Sequence, residues 1–264
     1  MLPNKKYSGS SVEARLDQLE LVLKTISMQG SPKAPFWFMG LEESTCPTIS
    51  ADEQICFQYK SALEQTKGPV ELTYARKLRK YQPTWAGYIK LMLSVRDAAG
   101  DSTSPWVKHE VLNYQFNQLG SLDITDQYSA SLLELFPLPR KSRRRHGWIY
   151  GDIADRPGME FLSTKRSFSK HPWVTGRANL ILETVEKHQP QVLFVCGKDG
   201  EYALRHLVDK VRLFDVIKND KKEIASVPIG QWGSTRIVFA YHPTSFQEDR
   251  YWRELGSVVA GQAA

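Results

Sequence analysis

The sequence predicts an α/β fold of three layers, in which a central four-stranded parallel sheet is covered by helices on both faces. Four short apolar runs, each ended by glycine or proline, supply the strands, at residues 35–40, 131–136, 191–197 and 236–241. A continuous apolar run that is too short for a helix is typical of a strand buried on both faces. Helical patterns alternate with these runs, and that alternation favours parallel strands.

The remaining elements follow in chain order. A helix is predicted at about 11–29, where Val12, Leu16, Leu19, Leu23 and Ile26 recur at helical spacing. The roughly 90 residues between the first two strands exceed one crossover, so we expect a helical insertion at about 45–125. Further helices are predicted at about 70–80, 84–98, 106–117, 176–188, 199–211 and 248–260. No linker interrupts the pattern, so residues 1–264 are expected to form a single domain.

Composition excludes several classes of protein. The 264 residues are 41% hydrophobic and 24% charged, which is ordinary for a globular protein and not for a disordered or collagen-like chain. No apolar run approaches the roughly 20 residues of a membrane helix, and the N-terminal lysines precede no apolar core of a secretory signal. Cys46, Cys56 and Cys196 lack metal-site spacing. We therefore expect a cytoplasmic, monomeric protein without membrane association, metal or cofactor.

Polar residues follow each predicted strand. In an open parallel sheet, ligands bind at the carboxyl ends of the strands. Here those ends carry Gly40-Leu41-Glu42-Glu43, Glu134 to Arg140, Cys196-Gly197-Lys198 and Tyr241-His242. The net charge is +6, and five of the cations fall in one stretch: Arg140, Lys141, Arg143, Arg144 and Arg145. This basic run is either a solvated loop or a contact for a polyanion.

Four segments resemble the uracil-DNA glycosylase superfamily in order and spacing. They are FWFMGLEES, ELFPLPR, VLFVCGKDGEYAL and YHPTS, within residues 35–255. The sequence departs from the family at the first loop, where Glu43 replaces a proline, and at the base-reading position, where Glu134 replaces the usual asparagine. The cysteines of the iron–sulfur members are absent.

The resemblance implies hydrolysis of an N-glycosidic bond in DNA after the nucleotide has been flipped out of the helix. Glu42 matches the residue that activates water, and Glu43 is the alternative. His242 would donate a hydrogen bond to the departing base, which leaves with negative charge. The base would be bound by Gly40, Leu41, Glu134 and Phe136.

The same resemblance implies the contacts with DNA. Thr244 and Ser245 can donate to phosphates, and Phe246 is either a wedge in the base stack or a core residue. Lys198 and the basic run of residues 140–145 would contact the backbone. Trp85 and Tyr88 lie one helical turn apart, so either one stacks on the extruded base or both belong to the core.

Glu134 indicates which base would be read. An ionised carboxylate only accepts hydrogen bonds, which suits the amino group of cytosine better than O4 of uracil. Because unmodified cytosine is abundant, the sequence favours a modified cytosine. Some members of the superfamily are expected to act on hypermodified cytosine in phage defence, which is the setting that this preference implies. A protonated Glu134 would restore the reading of uracil in base-excision repair.

Two further alternatives remain open at this point. The loss of the loop proline and the asparagine is compatible with a catalytically silent module that binds modified bases in DNA. A hydrolase of another kind on a similar sheet is disfavoured, because the sequence contains neither a G-x-S-x-G motif nor a phosphate-binding glycine loop.

Overall fold

The computed structural model describes residues 13–40, 49–72, 83–98, 106–124, 127–139, 147–217, 219, 221–243 and 248–261. The strands are β1 (Met28–Gln29), β2 (Phe36–Gly40), β3 (Ala130–Glu134), β4 (Val192–Cys196), β5 (Asp209–Ile217), β6 (Ile224–Trp232) and β7 (Thr235–Ala240). The helices are α1 (Leu16–Lys24), α2 (Ala51–Lys67), α3 (Pro83–Ala98), α4 (Lys108–Asn117), α5 (Lys165–Lys170), α6 (Pro172–Thr175), α7 (Arg177–His188), α8 (Lys198–Leu204) and α9 (Asp249–Gly261). The predicted α/β class is confirmed.

The prediction of a four-stranded parallel sheet is wrong in size, because three further strands join the sheet by antiparallel pairing. Within the described residues the sheet has seven strands in the order β1-β3-β2-β4-β7-β6-β5. The four predicted runs form its centre, where β3, β2, β4 and β7 pair in parallel. At one edge β1 is antiparallel to β3, and at the other β6 is antiparallel to both β7 and β5. The sheet is therefore mixed.

The β5–β6 hairpin corrects a second prediction. A helix was expected at about 199–211, but α8 ends at Leu204, one 3₁₀ turn follows at Arg205–Leu207, and β5 begins at Asp209. Much of β5 is exposed. An edge strand with so much solvent contact carries no continuous apolar run, and this is why the sequence pattern did not reveal it.

Helices cover both faces of the sheet. Trp37 and Met39 of β2 belong to a core with side chains of α1, α2 and α7, and we call this side the α7 face. Phe36 and Phe38 belong to a second core with side chains of α3, α4 and α9, which we call the α3 face. Alternate side chains of one strand thus enter opposite cores, as a strand buried on both faces requires.

The predicted helical insertion is divided between these two faces. α2 lies on the α7 face, whereas α3 and α4 lie on the α3 face. The sequence pattern did not indicate α2, which begins with a capping box between Ser50 and Glu53. The predicted helix at about 70–80 falls mostly outside the described residues. In the part of the chain that the structure describes, no helix is long and apolar enough to cross a bilayer.

Candidate active site at the strand ends

The carboxyl ends of the four parallel strands meet at one edge of the sheet. Gly40 is the register partner of Glu134, and the Leu135 amide donates to the Gly40 carbonyl over 3.0 Å. On the other side, the Gly197 amide donates to the Ala240 carbonyl over 2.9 Å. Backbone pairing therefore continues to the ends of these strands.

Glu134 shares the α3 face with Gly40. Strand alternation assigns them to this side, because Phe38 and Leu132, two residues earlier in each strand, lie in the α3-face core. Cys196 lies in the same core, and Glu134 is half-buried. The sequence alone could not decide which face of the sheet Glu134 occupies.

Tyr88 of α3 forms the floor beneath these residues. Its ring stacks on Phe38 with centroids 4.6 Å apart, and its hydroxyl hydrogen-bonds with the Cys196 thiol. A Cβ atom added to Gly40 would lie 3.4 Å from the Tyr88 Oη atom, in van der Waals contact with the phenol. Tyr88 is a buried core residue as well as part of this edge.

Burial keeps the phenol and the thiol neutral. It raises the pKa of Tyr88 well above its ordinary value, and the neighbouring Cys196 and the charge of Glu134 raise it further. Burial also raises the pKa of Cys196. A thiol in this environment is an inert structural group rather than a nucleophile.

Arg177 holds the end of β3 from the α7 face. Its buried guanidinium donates to the Leu135 carbonyl over 2.6 Å and to the Glu134 carbonyl over 3.0 Å. It also donates to the carbonyls of Leu23 and Thr25 at the end of α1. Burial lowers the pKa of Arg177 to about 10, while the charge of Glu134 acts in the opposite direction. Arg177 therefore remains a cation at neutral pH, and sequence reasoning missed it.

His242 lies two residues beyond the end of β7 and is half-buried. The preceding amide, of Tyr241, donates to the Tyr251 hydroxyl of α9 over 3.2 Å. The following residue, Pro243, lies against Gly87 of α3, where an added Cβ atom would be 2.5 Å from the proline Cβ. Contacts with two helices thus define the position of the histidine.

Two other predicted residues lie apart from this group. Phe136 is buried in the α7-face core, where it contacts Phe168, and Lys165 Nζ lies 5.0 Å from its ring centroid. Its described contacts are therefore on the other side of the sheet from Gly40 and Glu134. Lys198 is the first residue of α8 and is exposed just beyond β4.

The structure also describes the two aromatic candidates for stacking on the base. Tyr88 is buried and Trp85 is half-buried, and both contact the α3-face core. Several predicted residues fall outside the described part of the chain and stay predictions. These are Leu41, Glu42, Glu43, Arg140, Lys141, Arg143, Arg144, Arg145, Thr244, Ser245 and Phe246. Among the described residues, no group of three or more histidine, cysteine or acidic side chains has the geometry to hold a metal ion.

Neither the models of known protein families nor the curated proteins contain a match to this chain. The resemblance of the four segments to the uracil-DNA glycosylase superfamily consequently stays a prediction from the sequence. What the geometry adds is the shared position of Gly40, Glu134 and His242 at the carboxyl ends of parallel strands.

Proposed function

We propose that the protein is a DNA glycosylase that hydrolyses the N-glycosidic bond of a flipped-out pyrimidine-derived base, with a modified cytosine as the preferred base. The observation that carries this proposal is the position of Glu134 and His242 at one sheet edge, with Gly40 at the end of a strand between theirs. The resemblance of the strand-end segments to the uracil-DNA glycosylase superfamily supports the same reaction.

The strand order suits an extruded nucleotide. β3 and β7 are separated by β2 and β4, which corresponds to roughly 14 Å at the usual spacing of strands. A base placed over the end of β2 would have the Glu134 carboxylate on one side and the His242 imidazole on the other. Gly40, below it, adds no side chain that would fill this space.

Glu134 supports the preference for a cytosine-derived base. Its charge interacts with that of the buried Arg177 guanidinium. An ionised carboxylate accepts a hydrogen bond from the cytosine amino group. Against uracil, its oxygen would instead meet O4, which is also an acceptor, and the two oxygen atoms would repel each other.

The chemical step needs a carboxylate near C1′ and a donor near the base. In the proposed step Glu42 orients and deprotonates a water molecule, whose oxygen forms the new bond to C1′. The electrons of the broken C1′–N bond leave with the base, and His242 stabilises the resulting negative charge by donating a hydrogen bond to the pyrimidine oxygen. The products are an abasic site and the free base.

The test is a panel of single- and double-stranded oligonucleotides that carry uracil, hypoxanthine or modified cytosines, with abasic sites scored after incubation. We expect release of a modified cytosine, and a loss of about 10²- to 10³-fold in His242→Ala, as is typical when a donor to developing charge is removed. Glu42→Gln should lower release far more than DNA binding, and Glu134→Gln should abolish release of modified cytosine. His206→Ala, which changes an exposed histidine after α8, is the matched control.

Three outcomes would contradict parts of the proposal. Full activity in both Glu42→Gln and His242→Ala would overturn the assigned roles. Release of uracil alone would replace the modified cytosine with the base-excision function. Retention of modified DNA without abasic sites would indicate a silent binding module instead of an enzyme.

A further inference from the structure

A cleft lies at the opposite end of the sheet from the strand-end site. It has a volume of about 470 Å³ and is bordered by Gln191, which precedes β4, and by Arg236 at the start of β7. Arg236 and His242 are separated by six residues of chain, or roughly 20 Å of extended backbone. The cleft is therefore distinct from the candidate active site.

Three basic side chains border the cleft. Lys210, Arg212 and Arg236 line it, and no carboxylate is among the described residues that do so. Lys210 and Arg212 are exposed, whereas Arg236 is half-buried and donates to the Val259 carbonyl near the end of α9 over 2.6 Å. That hydrogen bond fixes the Arg236 guanidinium at the wall of the cleft. The positive charge there is therefore not carried by exposed side chains alone.

A β-bulge in the edge strand builds one side of the cleft. Asp209 pairs with Gln231 and Arg212 pairs with Ile229, so two residues of β5 lie opposite Gly230. The first of them, Lys210, has a φ of +52°, which residues with a Cβ atom rarely adopt. Bulges are frequent beside functional sites, where they redirect side chains.

Gly230 makes this bulge possible. A Cβ atom at Gly230 would lie 2.4 Å from Val208 Cγ1 and 3.0 Å from Val211 Cγ2. The valines therefore pack over the glycine on the α7 face, while Lys210 and Arg212 border the cleft. Local packing thus maintains an unusual lysine conformation where it adds a cation to the cleft.

The cleft also presents aromatic and hydrogen-bonding groups. Phe214 provides an apolar aromatic wall, and the amide side chains of Gln191 and Gln231 provide hydrogen-bonding groups. The Gln231 Nε2 atom donates to the Gly233 carbonyl over 2.9 Å, which orients that amide. The volume of the cleft lies within the range of small-molecule sites.

We propose that this cleft binds a nucleoside monophosphate group. Lys210, Arg212 and Arg236 contact the phosphate, and Phe214 contacts the base. The group belongs either to a free nucleotide or to the 5′ end of a nucleic-acid strand, which present the same chemistry. This inference does not depend on the glycosylase activity, because it concerns another end of the sheet and other residues.

The experiment is a calorimetric titration of the full chain at low salt with the four deoxynucleoside monophosphates, the unphosphorylated nucleosides and inorganic phosphate. We expect at least one monophosphate to bind more tightly than both its nucleoside and inorganic phosphate. The double variant Lys210→Gln/Arg212→Gln should weaken that binding at least tenfold. Lys221→Gln/Lys222→Gln removes the same charge from exposed lysines in the β5–β6 turn and should change it less than twofold.

Competition with oligonucleotides distinguishes the two sources of the group. If a 5′-phosphorylated oligonucleotide displaces the bound nucleotide at a lower concentration than the free nucleotide does, the cleft binds the 5′ end of a strand. If it requires a higher concentration, the cleft binds the free nucleotide. The proposal is overturned if the intact protein binds no monophosphate, if it binds the nucleoside equally well, or if both double variants lose affinity alike. Equal unfolding midpoints of the variants establish that the folds are comparable.

Discussion

Arg177 connects the end of β3 with the end of α1. Its guanidinium reaches four carbonyl oxygens, two at the end of β3 and two at the end of α1. All four acceptors are backbone groups that need partners when they are buried. The position of Glu134 consequently depends on a residue that hydrogen-bonds to its main chain.

Replacing Arg177 with methionine is expected to destabilise the fold severely. The change keeps much of the apolar volume but leaves buried carbonyls without donors, and each such group costs about 1–3 kcal/mol. We expect the free energy of unfolding in urea to fall by about 3 kcal/mol or more. Arg166→Met, at an exposed position of α5, is expected to change it by less than about 0.5 kcal/mol. Equal effects of the two changes would show that the Arg177 hydrogen bonds contribute little.

At the scale of single elements, α3 organises three strand ends. Tyr88 contacts the ends of β2 and β4, and the adjacent Gly87 contacts Pro243 beyond β7. The helix in turn lies very close to α9, because a Cβ atom at Gly256 would be only 2.2 Å from Ser94 Cβ. Gly256 thus allows α3 and α9 to approach closely, and Gly87 allows Pro243, next to His242, to pack against α3.

Gly87→Ala should therefore disturb the site through the proline. The new methyl group would be 2.5 Å from Pro243 Cβ and 3.1 Å from its Cα atom, so the backbone next to His242 must move. If the proposed reaction is correct, base release should fall about tenfold or more, since displacements near 1 Å reduce catalysis strongly. Gly261→Ala adds a methyl group in open space at the end of α9 and is the control. Equal rates in the two variants would contradict the role of Gly87.

The elements also show which features could be predicted from the sequence. β2, β3, β4 and β7 were recognised because a strand buried on both faces is apolar at nearly every position. The predicted helix at about 199–211 overlaps the start of β5, because most residues of this strand are exposed and form no continuous apolar run. α2 was missed since two of its buried residues are the glutamines Gln54 and Gln58, which interrupt an apolar stripe.

The same reasoning explains the prediction of the site. Glu134 ends β3 and His242 lies two residues beyond β7. Both strands were recognisable and parallel strands end at one edge, so the position of these residues at the same edge could be predicted. The side chains that hold Glu134 and His242 in place could not be predicted. Arg177 opens a helix, where a charged residue is usually exposed, and Tyr88 contacts strand ends that are distant in the chain. Such contacts arise from tertiary packing, which no local pattern records.

At the scale of the whole molecule, one ion pair joins three distant segments on the α7 face. The Asp52 carboxylate accepts from Arg156 through Nη1 over 2.5 Å and Nη2 over 2.8 Å, and from the Ala14 amide over 2.6 Å. The chain before α1, the start of α2 and the irregular segment after β3 are thereby connected. A bidentate ion pair of this kind is stronger than a typical surface ion pair.

This ion pair should make the stability of the protein depend on pH. Burial alone would raise the pKa of Asp52, but the hydrogen bonds from Arg156 and the Ala14 amide outweigh it, so the pKa is lower than its ordinary value. The folded state therefore binds the proton less tightly than the unfolded state. Its contribution to stability is complete above the ordinary aspartate pKa of about 3.9 and is lost as the pH falls through the lower pKa of the folded state.

Asp52→Asn is accordingly expected to destabilise the protein at pH 7 by about 1.5–3 kcal/mol, the usual contribution of hydrogen bonds to a charged group. Urea unfolding at pH 7, 5, 4 and 3 should show this difference intact down to about pH 4 and smaller at pH 3, because the wild-type carboxylate then becomes protonated. Asp17→Asn removes a carboxylate that pairs with Arg15 in solvent and should leave stability unchanged throughout, since exposed pairs contribute little. A constant difference between wild type and Asp52→Asn across this pH range would mean that the carboxylate charge does not hold these three segments together.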